Sequence, residues 1–142
     1  MSPMRAVLLP LGVDLYALPV EWVREVLAAP PITRLVTAPP LVLGLFNLRG
    51  EIIPLLDTSV LLDIGRGSTA THAVVLSGPP GTPGLAATGC PRDVRLSAPV
   101  GPSRLFGTAG TYRVGDRVAV LLDPEPLLAR CAQPRPPESG VG

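Results

Sequence analysis

The chain has 142 residues, 46% of them hydrophobic, which is enough for one compact unit or for two small ones that share a core. Twelve basic against eleven acidic residues leave a net charge of +1, so the clustered basic face that nucleic acid requires is not expected. Every basic residue is arginine, and with nineteen prolines and fifteen glycines this reads as compositional bias rather than as a binding patch.

From the N-terminus, Arg5 to Leu11 and Asp14 to Leu18 read as two strands reversing at Gly12. The apolar run that contains them carries Pro10 and Gly12 and lacks a small-x-small cleavage pattern, so it is not read as a signal peptide. No apolar segment approaches the roughly 20 residues needed to span a bilayer. Neither membrane insertion nor export is expected, and the reading is of a soluble, cytoplasmic protein. Pro19 then opens a predicted helix through Ala28, because Val20, Val23 and Val26-Leu27 recur at three- and four-residue spacing and Pro30-Pro31 stops the run. Glu21, Arg24 and Glu25 lie off its apolar face, where charges are solvated, and Trp22 is read as a core residue. Ile32 to Val36 is a candidate strand.

The apolar runs Leu41 to Phe46 and Ile52 to Leu56 predict a β-hairpin that reverses at Arg49-Gly50. Gly44, Gly50 and Pro54 argue against a buried helix over the same stretch. Asp57 is the predicted N-cap of a short helix from Thr58 to Ile64, closed by Gly65. The Gly65 to Thr71 segment is read as a flexible boundary. Beyond it, His72 to Ser77, Gly84 to Thr88 and Pro91 to Leu96 are candidate strands, and Thr111 to Val114 with Arg117 to Leu122 forms a hairpin turning at Gly115-Asp116. Asp123-Pro124-Glu125 starts a last helix that carries Leu127-Leu128. Cys90, Cys131 and the single histidine, His72, show no metal-ligand or redox spacing, and no cofactor or metal is expected.

The chemistry of the central hairpin is concentrated at its tip, where Asn47, Arg49 and Glu51 stand between otherwise aliphatic strands. Two bland roles are open to Arg49, a solvated turn residue or a brace on backbone carbonyls, beside a role in partner binding. Asn47-Leu48-Arg49-Gly50, preceded by Gly44 and followed by Ile52-Ile53-Pro54 and Asp57, resembles the signature of the CheW family, the adaptors of bacterial chemotaxis arrays. Upstream, Val23-Arg24-Glu25-Val26 is similar to the family's Val-x-Glu-Ile helix. Downstream, Val114-Gly115-Asp116-Arg117 with Val120-Leu121-Leu122-Asp123 is similar to the family's closing hairpin.

That resemblance implies a mainly β fold of two small five-stranded SH3-like barrels packed together with short helices. It places a CheW-like domain over residues 1–132, with a first barrel over about 14–64, a second over about 72–122, and the chain ends completing the fold. Residues 133–142 read as a disordered proline-rich tail. The resemblance further implies a non-enzymatic adaptor, associated with receptor arrays, that couples the cytoplasmic tip of a methyl-accepting chemoreceptor to the regulatory domain of a CheA-type histidine kinase. Val23, Glu25, Asn47, Arg49 and Gly50 fall at the positions tied to that role. After the hairpin, Asp57-Thr58-Ser59 lacks an arginine that the family carries, and Ala86-Ala87-Thr88 departs from the family's branched aliphatic strand and predicts a weakened second barrel. This motivates an alternative reading, a protein that binds receptors but not the kinase. An unrelated SH3-like peptide-binding module is the other.

Overall fold

A computed structural model describes residues 3–65 and 69–132. Strand β1 (Met4–Leu11) reverses through a two-residue turn into β2 (Asp14–Pro19), as the glycine at position 12 with φ 60° permits. The predicted helix over residues 19–28 is replaced by one 3-10 turn at Val20–Trp22 and strand β3 (Val23–Ala28). Apolar spacing alone was ambiguous there. The residues of β3 alternate between half-buried and exposed, the period of a strand, and its two valines are stiff, β-favouring side chains. Next come β4 (Val42–Leu48), β5 (Glu51–Leu56) and α1 (Thr58–Leu61), which is shorter than predicted. Its cap is as expected: the Asp57 carboxylate accepts from the N–H groups of Ser59 and Val60 at 3.0 and 3.3 Å. The remaining elements are β6 (His72–Leu76), β7 (Gly84–Ala87), β8 (Arg92–Leu96), β9 (Pro99–Gly101), β10 (Thr108–Val114), β11 (Arg117–Leu122) and α2 (Pro124–Ala132).

The strands form two sheets, ordered β8-β1-β2-β11-β10-β9 and β3-β6-β7-β5-β4. Each curls round and is joined by one bent segment. In the first, β8 pairs with β1 and β9 pairs with β10, so the continuous stretch from Arg92 to Gly101 bridges both edges. In the second, β3 pairs with β6, and the chain following it returns to β4 through reciprocal backbone bonds between Thr33 and Leu45 at 2.8 and 2.9 Å. The candidate strand at Ile32 to Val36 is reduced to that one bridge. Gly44 makes it possible, because a Cβ there would collide with Ile32 and the Thr33 backbone.

The two units repeat one plan. Each contains an antiparallel hairpin whose second strand pairs in parallel with another hairpin's last strand, β2 with β11 and β5 with β7. Val42 faces Leu56 as Thr108 faces Leu122, and the Asp57 and Asp123 N–H groups donate to the carbonyls of Leu41 and Gly107, both at 2.7 Å. Each aspartate then begins a helix. The sequence Leu55-Leu56-Asp57 recurs as Leu121-Leu122-Asp123.

This plan divides the chain differently from the expected halves at 14–64 and 72–122. One barrel takes both ends, β1, β2 and β8 to β11, and the other takes the middle, β3 to β7. The parallel pairing of β2 with β11 brings the ends together, and the antiparallel pairing of β3 with β6 runs across the predicted boundary. Residues 66–68 of that boundary and the tail at 133–142 lie outside the described residues.

Three apolar cores follow. Ala6, Leu8, Leu15, Ala17 and Leu121 fill the first barrel, and Phe46, Leu48, Ile53, Leu55 and Val75 fill the second. Between them, Leu9, Leu18, Leu56, Leu76, Leu85, Leu122 and Leu127 weld the barrels together. Burying one such leucine contributes about 1.5 to 3 kcal/mol.

Candidate partner-binding surface

Hairpin β4–β5 turns through Arg49 and Gly50, with φ of 51° and 88°. Two successive left-handed residues make a type I′ turn, whose twist matches that of the flanking strands. Glycine meets the requirement at Gly50 without strain, and arginine at position 49 does not. Two side-chain interactions hold the tip in place. Asn47 Oδ1 accepts from the Gly50 N–H at 2.9 Å. The Arg49 guanidinium donates to both oxygens of Glu25, from Nη2 to Oε1 at 2.5 Å and from Nη1 to Oε2 at 3.2 Å. This two-pronged geometry is the one arginine's planar fork favours. Arg49 therefore reaches neither bulk solvent alone nor the backbone carbonyls of its own turn.

Glu25 lies on β3, at the far edge of the sheet order from β4, and meets the tip only because the barrel closes. A bulge completes the arrangement. Val23 pairs with Leu76 and Glu25 with Val75, leaving Arg24 as an extra residue in the ladder. Strict alternation would send neighbours to opposite faces, but the bulge lets Arg24 and Glu25 both turn to the hairpin tip. Arg24 Nη1 bonds Glu51 Oε1 at 3.0 Å, and Glu51 Oε2 accepts from the Gly81 N–H at 3.2 Å. Strand β3, the hairpin tip and the β6–β7 loop are thus tied by one charge lattice.

The lattice lies at the surface: the Arg49 side chain is 65% exposed and that of Glu25 is 24% exposed. Hydrogen bonding to Arg49 holds the Glu25 carboxyl below the usual carboxylate range and raises the Arg49 guanidinium in turn. Bonds from Arg24 and then from the Gly81 N–H lower Glu51 likewise. Val26 and Ile52, 40% and 53% exposed, add aliphatic surface on β3 and β5.

Of the residues singled out in the sequence, Glu25, Asn47, Arg49 and Gly50 are brought together on this surface. Val23 is only half-buried and packs against the inter-barrel core instead. Arg24 and Gly81 were missed as members of the lattice. Their contacts to Glu51 depend on barrel closure, which leaves no trace in local spacing, although an arginine beside Glu25 on a valine-rich strand was a partial signal. Among the described residues there is no group of three or more His, Cys, Asp or Glu side chains placed to hold a metal ion, and Cys131 has its thiol pushed up by burial.

A family model for the CheW-like domain matches residues 5–132. The fold is similar to that of the scaffolding protein TtCheW from Thermoanaerobacter tengcongensis, with a TM-score of 0.69 and 23% identity, covering 84% of this chain and 88% of that one. A search among curated proteins finds no match.

Proposed function

Since the chain belongs to the CheW-like domain family, a family of scaffolds and adaptors, we propose that it works by binding and not by catalysis. In this reading it couples the cytoplasmic tip of a methyl-accepting chemoreceptor to the regulatory domain of a CheA-type histidine kinase, in the cytoplasm at a receptor array. Among the described residues, no helix is long and apolar enough to cross a membrane. The observation that carries the proposal is the surface lattice of Arg49, Glu25, Arg24 and Glu51, braced from three segments and flanked by exposed Val26 and Ile52. Aliphatic contact around a few fixed charges suits a helical partner, and pre-ordered side chains lower the entropy cost of docking.

The reading in which receptors are bound without the kinase rested on damage confined to one barrel. Ala86 and Ala87 are instead buried in the same sheet as the hairpin tip, and the Thr58 hydroxyl donates to the Ala86 carbonyl at 2.6 Å. The departures from the family pattern therefore fall in the barrel that carries the hairpin tip and not in a separate one, and coupling of both partners is the reading retained. Co-sedimentation of a receptor cytoplasmic fragment with the kinase regulatory domain, with and without this protein, tests it. A complex of all three is expected. Binding of neither partner overturns the proposal.

A further inference from the structure

Away from the hairpin tip, a cleft of about 730 Å³ opens between the loop before β10, the end of α1 and helix α2. Its walls include Leu62, Asp63, Arg104, Leu105, Phe106 and Arg130. Leu105 is 45% exposed and Phe106 49%, and the Arg130 guanidinium lies 5.1 Å from the centre of the Phe106 ring. Neither Arg104 nor Arg130 has a carboxylate within ion-pair distance among the described residues, and Asp63 is the one acid lining the cleft.

Two large apolar side chains left about half exposed need an explanation, because this loop is fixed in place. The Leu105 carbonyl accepts from the Thr108 hydroxyl at 2.6 Å, which also bonds Ser103 Oγ at 2.7 Å. Gly107, with φ 75°, sits so close to Leu127 that no Cβ would fit, and its carbonyl accepts the N–H of Asp123. The loop is therefore clamped to the start of α2 while its two apolar side chains remain outside the core. A rigid aromatic stacked with arginine, beside a second cation and aliphatic surface, has the composition of a protein-binding hot spot.

We propose that this cleft is a second docking surface, separate from the hairpin tip, for an acidic amphipathic segment of a partner protein. Leu105 and Phe106 take the partner's apolar side chains, and Arg104 and Arg130 pair with its carboxylates. Arg130 Nη1 donates to the Leu61 carbonyl at 3.5 Å, but among the described residues neither guanidinium has a carboxylate partner. Two such cations against one carboxylate set that charge preference, and pre-ordering of the loop favours a specific contact.

The test is a titration of the full chain, followed by NMR, with a synthetic peptide carrying leucine at three- and four-residue spacing and glutamate between, and with a control in which glutamine replaces glutamate. The expected result is shift changes centred on Leu105, Phe106 and Arg130, with affinity falling as salt is added. Leu105→Ser and Arg104→Glu should each weaken binding by on the order of tenfold with the spectrum otherwise unchanged, while Arg130→Lys, which keeps the charge and alters the stacking, falls between. Arg49→Ala should bind the peptide as the unaltered chain does, so failure here is distinguishable from failure of the hairpin-tip reading. Equal binding of the glutamine control, shifts centred elsewhere, or no binding overturns the proposal. Vesicles containing anionic lipid that bind the same residues more tightly than the peptide also overturn it, in favour of a membrane surface.

Discussion

Arg49 combines two demands that a turn residue rarely meets together. Its backbone is left-handed, a conformation that favours glycine, and its side chain spans to Glu25 on another strand. Replacement by glycine and by alanine separates the two. Arg49→Gly relieves the backbone while losing the ion pair, whereas Arg49→Ala loses the pair and keeps the strain. The glycine variant is therefore expected to be the more stable of the two in chemical denaturation. Neither should unfold the protein, since exposed ion pairs contribute little to stability. The pH dependence has a definite sign. Glu25 and Glu51 have carboxyls lowered by their arginine partners, so their contribution to stability is fully present above the ordinary carboxylate range and is lost as pH falls through the lowered folded values. Side-chain carboxyl NMR should show both titrating below glutamate in a short unstructured peptide, and midpoints at or above that reference would contradict the pairing.

At the scale of the elements, closure of the second barrel decides where the site forms. Hairpin β4–β5 was legible because Arg49-Gly50 separates two aliphatic runs, and the Asp57 cap because a capping residue follows a strand. The strand at Val23–Ala28 was not, since its valines and leucine fit a helical period as well as the ladder that β6 imposes. The link from Arg24 and Glu25 to the tip depends on a bulge and on one backbone bridge at Thr33, and neither has a local signature. Gly44→Ala tests that closure directly. The added methyl group meets Ile32 and the Thr33 backbone, so a loss of about 1 to 3 kcal/mol is expected in urea unfolding, the scale of an overpacked site. An unchanged midpoint would mean that the bridge yields without cost.

The whole molecule is two interlocked barrels around a shared core. The spacing of strands and turns pointed to one or two small barrels, and the family resemblance of the hairpin signature made it two. The partition of the chain was not, because a reader following sequence order places β1 and β2 with their neighbours, whereas parallel pairing commits them to β11. Interlocking predicts one cooperative unfolding transition. Leu122→Ala, within the inter-barrel core, should lower the stability of both barrels together by about 2 to 5 kcal/mol. Two separated transitions by calorimetry would show instead that the barrels unfold independently.

The adaptor account stands most directly on calorimetric titration of the unaltered chain and of Arg49→Ala against a receptor cytoplasmic fragment and against a CheA-type regulatory domain, in one buffer and with melting curves recorded alongside. The account predicts that the unaltered chain binds both, and that Arg49→Ala weakens at least one interaction by about tenfold or more while the melting temperature is nearly unchanged. Unchanged affinity for both partners, or a collapse in melting temperature with normal binding by the folded remainder, would contradict it and leave the lattice of Arg49 and Glu25 as a brace of the barrel.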